Sequence, residues 1–586
     1  MPELSREEIA KIEIGHTSVS RRTAVVLVAL FLATIAAVPA VQHVYEIFLL
    51  RPGDSGSRIP QCYGIIDSIP RAVKMAGTGD GSALGRVLAA DRSMLRDINE
   101  FEGNLEDDSV LARATLPPAQ ELFVRVGLGN EKAYCGLDGW LFYRPGLDYL
   151  TGPGFLTRRH FAKRLAAARE WEDPPQPDLR PAIFEFNRQL AARGIRLVIV
   201  PVPGKAMIHP EKFSRSYANE SGVLQNESYP QLLAELEQEG VLVFDPAPLL
   251  LERKLTAALA MDSGGRPSFL PQFLETDTHW RPEAMQFVAE RLAAFIADHA
   301  GLPDIPPVAL KTEQRRITNL GDIALMLRLQ PDHAVYRPEA ATIRQVMTPA
   351  NTFWQASKSA DVLLLGDSFT NIYSLEAMGW GESAGLAEQL AFAMRRPLDR
   401  ITRNDSGAWS TRQMLARELA AGRDRLAGKK LVVWQFAIRE LSAGDWKRID
   451  MTLGNPRPAQ FVVPASGTAM AVSGTIESIA GAPRPGTVPY KDHIIAIHLV
   501  DVEAPTPQSP PQGWRGGAEG NQAIVYAWSM RDNKWTPAAR LRPGTRISAT
   551  IRSWADVAGK LDAINRAELD DESLQLEEPC WADDLK

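Results

Sequence analysis

The sequence predicts an α/β domain built on a doubly wound parallel sheet, with an N-terminal transmembrane helix before it and a smaller all-β domain after it. Three observations support this: an uncharged N-terminal stretch, short apolar runs that alternate with helical patterns in the middle of the chain, and alternating polar and apolar residues near the C-terminus. The chain has 586 residues. At roughly 100 to 200 residues per domain, this length requires more than one domain.

The composition excludes several classes of protein. Hydrophobic residues make up 45% and charged residues 23% of the chain, which argues against wholesale disorder and against a polytopic membrane protein. The net charge of -6 gives no general attraction to phosphate backbones, and neither zinc-finger spacing nor a clustered basic helix occurs. We therefore expect no nucleic-acid partner.

The three cysteines, Cys62, Cys135 and Cys580, are too few for a disulfide framework or a cysteine-based zinc site. A bridge between Cys62 and Cys135 is possible outside the cytosol, and free thiols are equally compatible with the sequence. Because we find neither a metal-binding cluster nor a phosphate-cradling loop in the sequence, we expect no metal and no cofactor.

The N-terminal stretch from Ala24 to Val41 carries no charge. As a helix it rises about 27 Å, close to the roughly 30 Å of a hydrocarbon core. Arg21 and Arg22 precede it, and the next lysine or arginine is Arg51. The positive-inside rule then places residues 1–23 in the cytoplasm and everything after about Leu50 on the other side of the membrane.

A cleaved signal peptide is the alternative for this stretch. The polar segment before it is long for a signal peptide, and VPAVQHV offers only a weak cleavage site, after Ala40. We therefore favour an uncleaved, single-pass anchor across residues 24–44. Residues 45–130 contain amphipathic stretches such as SMLRDINEFEGNLED, which predict a helical connector.

Residues 131–455 contain the α/β pattern. Helical patterns such as AIFEFNRQLAARG and PQLLAELEQEG alternate with apolar runs that have the length and β-branched content of strands buried on both faces. This alternation predicts a doubly wound parallel sheet. The four predicted strands are Ile195 to Pro201, Val241 to Asp245, Val362 to Gly366 and Leu431 to Phe436.

Residues 464–586 alternate polar and apolar residues, as in AMAVSGTIESIA, DHIIAIHLVDV, QAIVYAWSM and RISATIRSW. This pattern predicts an antiparallel barrel or sandwich of OB-like size. The insertion EAPTPQSPPQGWRGGAEGN predicts a long flexible loop. Trp528 and Trp535 would allow glycan binding, and a structural appendage to the α/β domain is the alternative.

The stretch DVLLLGDSFTNIY holds the first candidate site residue. A predicted strand ends at Gly366, and Ser368 lies at the turn into a helix whose backbone N–H groups could stabilise an oxyanion. Ser368 is therefore a candidate nucleophile. The alternative is that Asp367 or Ser368 merely caps the helix.

A serine nucleophile needs a base, and the base needs an orienting acid. The sequence LETDTHWRPEAM supplies Asp277 and His279, two positions apart before a helix that Pro282 could start. This spacing lets the carboxylate hold the imidazole Nδ1–H while Nε2 faces elsewhere. The alternative is a surface histidine beside a helix cap.

TDTHW followed downstream by LLLGDSF resembles the SGNH-hydrolase-like domain of the alginate O-acetyltransferase family, the AlgJ/AlgX type. The resemblance extends over about 131–450. Four further stretches carry it: GLDGWLFYRPGLDYLTG from Gly136, VPVPGKAMIHP around Lys205, MGWGESAGLAEQL from Met378 and VVWQFAIREL from Val432.

The resemblance implies a periplasmic enzyme that transfers acetyl groups to hydroxyls of an exopolysaccharide through an acetyl-serine intermediate. Ser368 would be the nucleophile, His279 the general base and Asp277 its orienting partner, with Arg439 near the site. It also implies a multispanning membrane-bound O-acyltransferase as the acetyl donor partner, because acetyl-coenzyme A is cytoplasmic.

Other residues have weaker signals. In RNDSGAWS, Gly407 could give an oxyanion-hole N–H, Asn404 is a rival for that role, and an ordinary turn would explain both. Lys205 follows a strand end, where α/β sheets form their crevices, and could bind an acidic or polar sugar. A solvated lysine is the alternative.

Two other functions are compatible with the sequence. A polysaccharide acetylesterase would use the same triad with water as the acceptor. A noncatalytic polysaccharide-binding or assembly protein would act through the C-terminal β domain instead.

Overall fold

The computed structural model describes residues 20–49, 66, 68–78, 82–169, 173–217, 222–256, 270–330, 334–404, 407–420, 422–455, 461–483, 485, 488, 490–504, 521–541, 545–569, 571 and 574–585. Cys62 and nearly all of the predicted loop EAPTPQSPPQGWRGGAEGN lie outside the described residues. The described chain divides into two compact units, one that ends at Pro118 and one that begins at Ala119.

The first unit begins with the apolar helix α1, Arg21–Val44. The Ser20 hydroxyl caps this helix by accepting a hydrogen bond from Thr23 N, and a π-helical turn, Tyr45–Leu49, follows it. The segment Arg21–Phe48 is long and apolar enough to cross a membrane, and no residue of α1 is buried. The predicted N-terminal apolar helix is confirmed. Helices α2, Ser68–Thr78, α3, Ala83–Asp108, and α4, Val110–Arg125, follow.

The second unit begins within α4, and a short antiparallel pair follows that helix: β1, Ala133–Cys135, and β2, Leu141–Tyr143. The main sheet is parallel throughout, in the strand order β4–β3–β9–β7–β8. Its strands are β3, Arg196–Val202, β4, Leu242–Val243, β7, Val362–Gly366, β8, Asp399–Thr402, and β9, Leu431–Ala437. Strands β7 and β9 are buried at every residue because helices cover the sheet.

The remaining elements of the α/β domain surround this sheet. A separate antiparallel pair consists of β5, Lys311–Asn319, and β6, Glu339–Met347. The helices are α5, Arg144–Thr151, α6, Arg158–Ala166, α7, Arg180–Ala191, α8, Lys205–Ile208, α9, Pro210–Phe213, α10, Tyr229–Gln238, α11, Ala247–Thr256, α12, Pro282–His299, α13, Asp322–Met326, α14, Ser368–Asn371, α15, Leu386–Met394, α16, Trp409–Ala420, and α17, Glu440–Ala443. Single 3-10 turns occur at Arg215–Tyr217 and Glu376–Met378.

The C-terminal part is a closed five-stranded barrel in the order β10–β11–β12–β16–β14, with β14 paired back to β10. Strands β12 and β16 are parallel and the other neighbours antiparallel, which is the arrangement of an OB-fold. The predicted OB-like β domain is therefore confirmed. The barrel strands are β10, Ala469–Ile479, β11, His493–Glu503, β12, Ala523–Arg531, β14, Arg546–Ser553, and β16, Cys580–Leu585.

Short elements decorate the barrel. Strand β13, Lys534–Trp535, extends β12, and β15, Arg566–Ala567, pairs with β11. One helix, α18, Ala558–Leu561, and three 3-10 turns, Pro537–Arg540, Trp554–Asp556 and Leu574–Leu576, complete this part of the described chain.

Candidate active site

The candidate site lies at the carboxyl edge of the parallel sheet, where crevices of doubly wound folds form. Strand β7 ends at Gly366, and the chain turns at once into α14, which begins with Ser368. A side chain at position 366 would collide with Thr370, so a glycine is required for this tight turn. The turn places the Ser368 hydroxyl above the end of the sheet.

Asp367 fixes the nucleophile turn to the neighbouring strand. Its carboxylate caps α14 by accepting from Phe369 N at 2.9 Å. It also accepts from Gln435 Nε2 at 2.8 Å and from Ala437 N at 2.7 Å, both on β9. Asp367 therefore takes the capping role, and the Ser368 hydroxyl is left for another partner.

That partner is His279. Its Nε2 lies 2.9 Å from Ser368 Oγ, and its Nδ1 lies 2.7 Å from Asp277 Oδ1. The exposed fractions of Ser368, His279 and Asp277 are 8%, 3% and 1%. Three residues from two distant stretches of chain thus form a continuous hydrogen-bonded series with the geometry of a Ser-His-Asp triad.

Several donors hold the Asp277 carboxylate in place. Oδ1 also accepts from the backbone N of His279 at 3.0 Å. Oδ2 accepts from Trp380 Nε1 at 2.8 Å and from Asp322 N at 3.0 Å. A carboxylate with this many donors has little freedom to rotate, so the imidazole that it binds is also held in one orientation.

The electrostatics of this pair favour the charged forms of both partners. Burial alone would raise the pKa of Asp277, but the hydrogen bonds and charge of His279 lower it below the usual range. Burial alone would lower the pKa of His279, but the hydrogen bond and charge of Asp277, with a smaller contribution from Asp322, raise it. The imidazole is thus a stronger base than an ordinary histidine.

Asp322 and Trp380 are site residues that sequence reasoning did not assign. Asp322 Oδ1 accepts from Thr278 N at 2.7 Å, and its Oδ2 is 4.0 Å from His279 Nδ1. A buried carboxylate at the start of a helix resembles any capping residue in sequence, and no local motif marked it. Trp380 lies in a stretch that carries the family resemblance, MGWGESAGLAEQL, but nothing in that stretch indicates that its indole N–H donates to Asp277.

Ligand atoms of Asp277, His279 and Asp322 lie within 4.8 Å of one another, close enough to hold a metal ion. However, Trp380 Nε1 and two backbone N–H groups already donate to the Asp277 oxygens. His279 Nδ1 is within hydrogen-bonding distance of Asp277 as well. This donor set fits a carboxylate and imidazole that bind each other better than it fits a cation site.

Arg439 lies just beyond the end of β9. Its guanidinium carbon is 5.2 Å from the centre of the Tyr143 ring and 5.9 Å from that of Phe369. These residues line a narrow cleft, together with Gly204 and Thr278. In the described part of the chain no acidic side chain forms a salt bridge with Arg439, so its charge is available at the cleft.

Lys205 has a different environment from the expected one. Its Nζ donates to the carbonyl oxygens of Leu141 at 2.7 Å and Glu275 at 3.0 Å, and only 5% of the residue is exposed. Burial lowers the pKa of this ammonium to about 8. Through these two hydrogen bonds, Lys205 links β2 to the residue that precedes the TDTHW loop.

The two candidates for the oxyanion hole differ in what they offer. Gly407 has a φ of +67°, and a side chain there would collide with Glu440. Asn404 Oδ1 accepts from Asn371 Nδ2 at 2.8 Å, whereas the buried Asn404 Nδ2 has no hydrogen-bond partner. Asn371 belongs to α14, the helix that Ser368 begins. Asn404 thus has a side-chain donor without a hydrogen-bond partner beside the nucleophile helix, whereas Gly407 has only its backbone N–H to offer.

A family model and the sequences of known proteins both match this chain. A family model described as "SGNH hydrolase-like domain, acetyltransferase AlgX" matches residues 134–438. The chain is 31% identical over 332 residues to the probable alginate O-acetylase AlgJ of Pseudomonas aeruginosa, an alignment that covers 55% of this chain and 74% of the relative. It is 25% identical over 320 residues to the protein of the same name from Azotobacter vinelandii, with 53% and 73% covered.

Two solved structures also align with the chain. The O-acetyltransferase domain of Pseudomonas putida AlgJ shares 21% identity and a TM-score of 0.37, over 53% of this chain and 92% of that domain. Pseudomonas aeruginosa AlgX shares 15% identity and a TM-score of 0.35, over 72% and 91%. Since the family model spans more than half of the sequence, this chain belongs to the AlgJ/AlgX family of SGNH hydrolase-like acetyltransferases.

Proposed function

We propose that this chain is a periplasmic O-acetyltransferase that acts on hydroxyls of a polysaccharide through an acetyl-serine intermediate. The observation that carries the proposal is the hydrogen-bonded series from Ser368 through His279 to Asp277. Relatives named as probable alginate O-acetylases support the reaction class, and alginate is accordingly the first acceptor to test.

In the first half of the reaction, Ser368 Oγ attacks the carbonyl carbon of an activated acetyl group. His279 Nε2 takes the hydroxyl proton as the new C–O bond forms. Asp277 then stabilises the imidazolium through its hydrogen bond to Nδ1. When the tetrahedral intermediate collapses, the bond to the donor breaks, and the imidazolium returns its proton to the leaving group.

The negative charge on the tetrahedral intermediate requires a hydrogen-bond donor. We assign this role to Asn404, because its Nδ2 is buried without a partner and its amide is oriented by Asn371. Gly407 remains a rival donor through its backbone N–H. Removing an oxyanion donor of this kind reduces kcat by about 10² to 10³.

In the second half, a sugar hydroxyl replaces the donor. The neutral His279 takes the hydroxyl proton, and the sugar oxygen attacks the acetyl carbonyl carbon. The bond between that carbon and Ser368 Oγ then breaks, and the imidazolium returns its proton to Oγ, which regenerates the serine and the neutral base. We assign the acceptor to the cleft beside Tyr143 and Arg439, since this cleft adjoins Phe369 and Thr278 next to the nucleophile and base. Arg439 would orient polar groups of the sugar there.

The proposal also covers the N-terminal helix α1 and the source of the acetyl group. We propose that residues 24–44 anchor the enzyme in the inner membrane and that a multispanning membrane-bound O-acyltransferase supplies the acetyl group. The proposed domains are a cytoplasmic N-terminus at 1–23, the helical connector at 45–130, the catalytic domain at 131–455 and the β domain at 464–586.

The direct test offers the full-length protein an activated acetyl ester with and without an alginate oligosaccharide. Mass spectrometry then follows free acetate and acetylated sugar. We expect acetylated sugar from the wild type and neither product above background from Ser368→Ala. Equal amounts of free acetate with and without the oligosaccharide, and no acetylated sugar, would show an esterase instead. Binding of the oligosaccharide without either product would show a noncatalytic protein.

A further inference from the structure

A second buried carboxylate lies beside the His279 ring. Asp322 Oδ2 is 4.0 Å from His279 Nδ1, on the same side of the ring as Asp277. We propose that Asp322 is a positioning residue of this site, which holds the TDTHW loop in place and adds a second negative charge to the His279 imidazole. This inference rests on the proposed function, in which His279 is the general base.

The positioning part follows from a reciprocal exchange of hydrogen bonds. The backbone N of Asp322 donates to Asp277 Oδ2 at 3.0 Å, and Asp322 Oδ1 accepts from the backbone N of Thr278 at 2.7 Å. Thr276 extends the contact, since its hydroxyl donates to the Leu320 carbonyl. The segment that begins α13 therefore holds both the orienting acid and the backbone next to the base.

The electrostatic part follows from distance and burial. His279 becomes positively charged each time it takes a proton from serine or sugar, and attraction to a carboxylate 4.0 Å away is strong in a site that excludes water. In agreement, the Asp322 charge contributes to the raised pKa of His279.

Asp322 itself titrates within this group. Burial and the Asp277 charge raise its pKa, and the His279 charge opposes that rise. Groups on neighbouring elements also act on it or respond to its charge. The charged and titratable residues around Asp322 are Asp277, His279, Lys205 on α8 and Tyr143 on β2, with Arg439 acting on His279 and Tyr143.

Three substitutions separate the charge of Asp322 from its shape. Asp322→Asn keeps the size and an acceptor for Thr278 N but loses the charge. Asp322→Ser keeps only a short acceptor, and Asp322→Glu keeps the charge. A matched control is Asp245→Asn: Asp245 also accepts from a backbone N–H, of Ala247 at 2.9 Å, and from a side chain, the Tyr229 hydroxyl, and it contacts no triad residue.

The readout is the rate at which phenylmethylsulfonyl fluoride modifies Ser368 in the full-length protein in detergent, measured by mass spectrometry across pH. The Ser368 Oγ–S bond forms, the S–F bond breaks, fluoride leaves, and the hydroxyl proton passes to His279 and then to water. The rate follows the fraction of neutral His279 and needs neither the natural acetyl donor nor a sugar. A failure of the inference can thus be distinguished from a failure of the proposed function.

We expect the two neutral variants to move the midpoint of the pH profile down by roughly one unit, which is a tenfold change in the protonation equilibrium of His279. The direction follows because loss of a nearby negative charge disfavours the imidazolium. Their limiting rate at high pH should also fall about tenfold, because the imidazolium that forms during attack is no longer stabilised by the Asp322 charge. Asp322→Glu and Asp245→Asn should keep the wild-type midpoint.

Wild-type midpoints in both neutral variants would contradict the inference while leaving the proposed function intact. Unfolding of all three Asp322 variants at the assay temperature, seen by circular dichroism, would also contradict it, because Asp322 would then serve the fold rather than the imidazole. No modification of Ser368 in the wild type would overturn the proposed function, and this inference with it.

Discussion

At the scale of single residues, the chemistry depends on how firmly one imidazole is held. Both oxygens of Asp277 accept hydrogen bonds, so the His279 ring is held in one orientation. When the imidazole is neutral, Nδ1 carries the proton and Nε2 faces Ser368. Sequence reasoning identified these three residues because each lies in a short motif. It did not assign Asp322 or Trp380 because their roles arise only from folding of distant stretches.

The raised pKa of His279 predicts the pH dependence of activity. A general base must be neutral, and a raised pKa keeps the imidazole protonated to a higher pH than usual. We therefore expect kcat/KM for an activated acetyl ester to fall on the acid side with a midpoint above 6.5, the ordinary value for histidine. The profile is measured after subtraction of the Ser368→Ala background. A midpoint at or below 6.5 would contradict this reasoning.

Trp380→Phe tests the support of Asp277. The variant keeps a buried ring but removes the Nε1–H that donates to Asp277 Oδ2. We expect about 1–3 kcal/mol of lost stability, the usual cost of an unsatisfied buried acceptor, and a lower kcat with little change in KM. Thermal unfolding measures the loss of stability, and steady-state kinetics measure kcat and KM.

The control is Trp535→Phe, which removes an N–H bonded to the Pro483 carbonyl in the barrel. This variant should leave kcat unchanged. Equal effects of the two variants on kcat would contradict the prediction.

At the scale of elements, parallel strands that end at one edge bring the site together. Strands β7 and β9 were predicted closely because each is a run of apolar residues buried on both faces. Strand β8, Asp399–Thr402, was missed because DRIT has no apolar run. Its Asp399 is buried in a salt bridge with Arg425 at 2.7 Å and Lys429 at 3.0 Å, partners that only the folded chain supplies.

Gly321→Ala tests the contact between α13 and the TDTHW loop. Gly321 has a φ of +88°, and an added Cβ would lie 2.7 Å from the Thr276 carbonyl carbon and oxygen. We expect this variant to lose most of its kcat because the loop that carries Asp277 and His279 must move.

The matched control is Gly139→Ala, which has a φ of +83° with open space around the added Cβ. Both variants carry a backbone cost of order 1–3 kcal/mol, so similar stability losses are compatible with the account. Ester turnover distinguishes them: only Gly321→Ala should lose it. Equal turnover in the two variants would show that the loop contact does not position the triad.

At the scale of the whole molecule, the barrel and the α/β domain belong to one compact unit. The Arg403 side chain donates to the Arg566 carbonyl, and Leu375 packs against the cores of both parts. The sequence predicted the barrel from four alternating strands. It did not predict that β16, near the chain end, closes the barrel by pairing in parallel with β12, because alternation alone does not fix strand order.

The proposed anchor makes a prediction at this scale. No residue of helix α1 is buried, so a variant that begins after Leu49 should retain its catalytic core. We expect it to move from the membrane to the aqueous fraction of the periplasm when exported with a cleavable signal, with unchanged kcat for a small acetyl ester. Cell fractionation and an ester assay measure this. Retention of the shortened protein in the membrane fraction would show that another part of the chain binds there.

The central claim is that Ser368 carries the acetyl group between donor and sugar. The most direct measurement is rapid quenching of the full-length protein with an activated acetyl ester, followed by peptide mass spectrometry of the segment that contains Ser368. The account predicts one acetyl group on Ser368, which disappears on addition of an acceptor oligosaccharide as acetylated sugar appears. Acetylated sugar formed at the wild-type rate by Ser368→Ala, or acetyl trapped on a different residue, would contradict it.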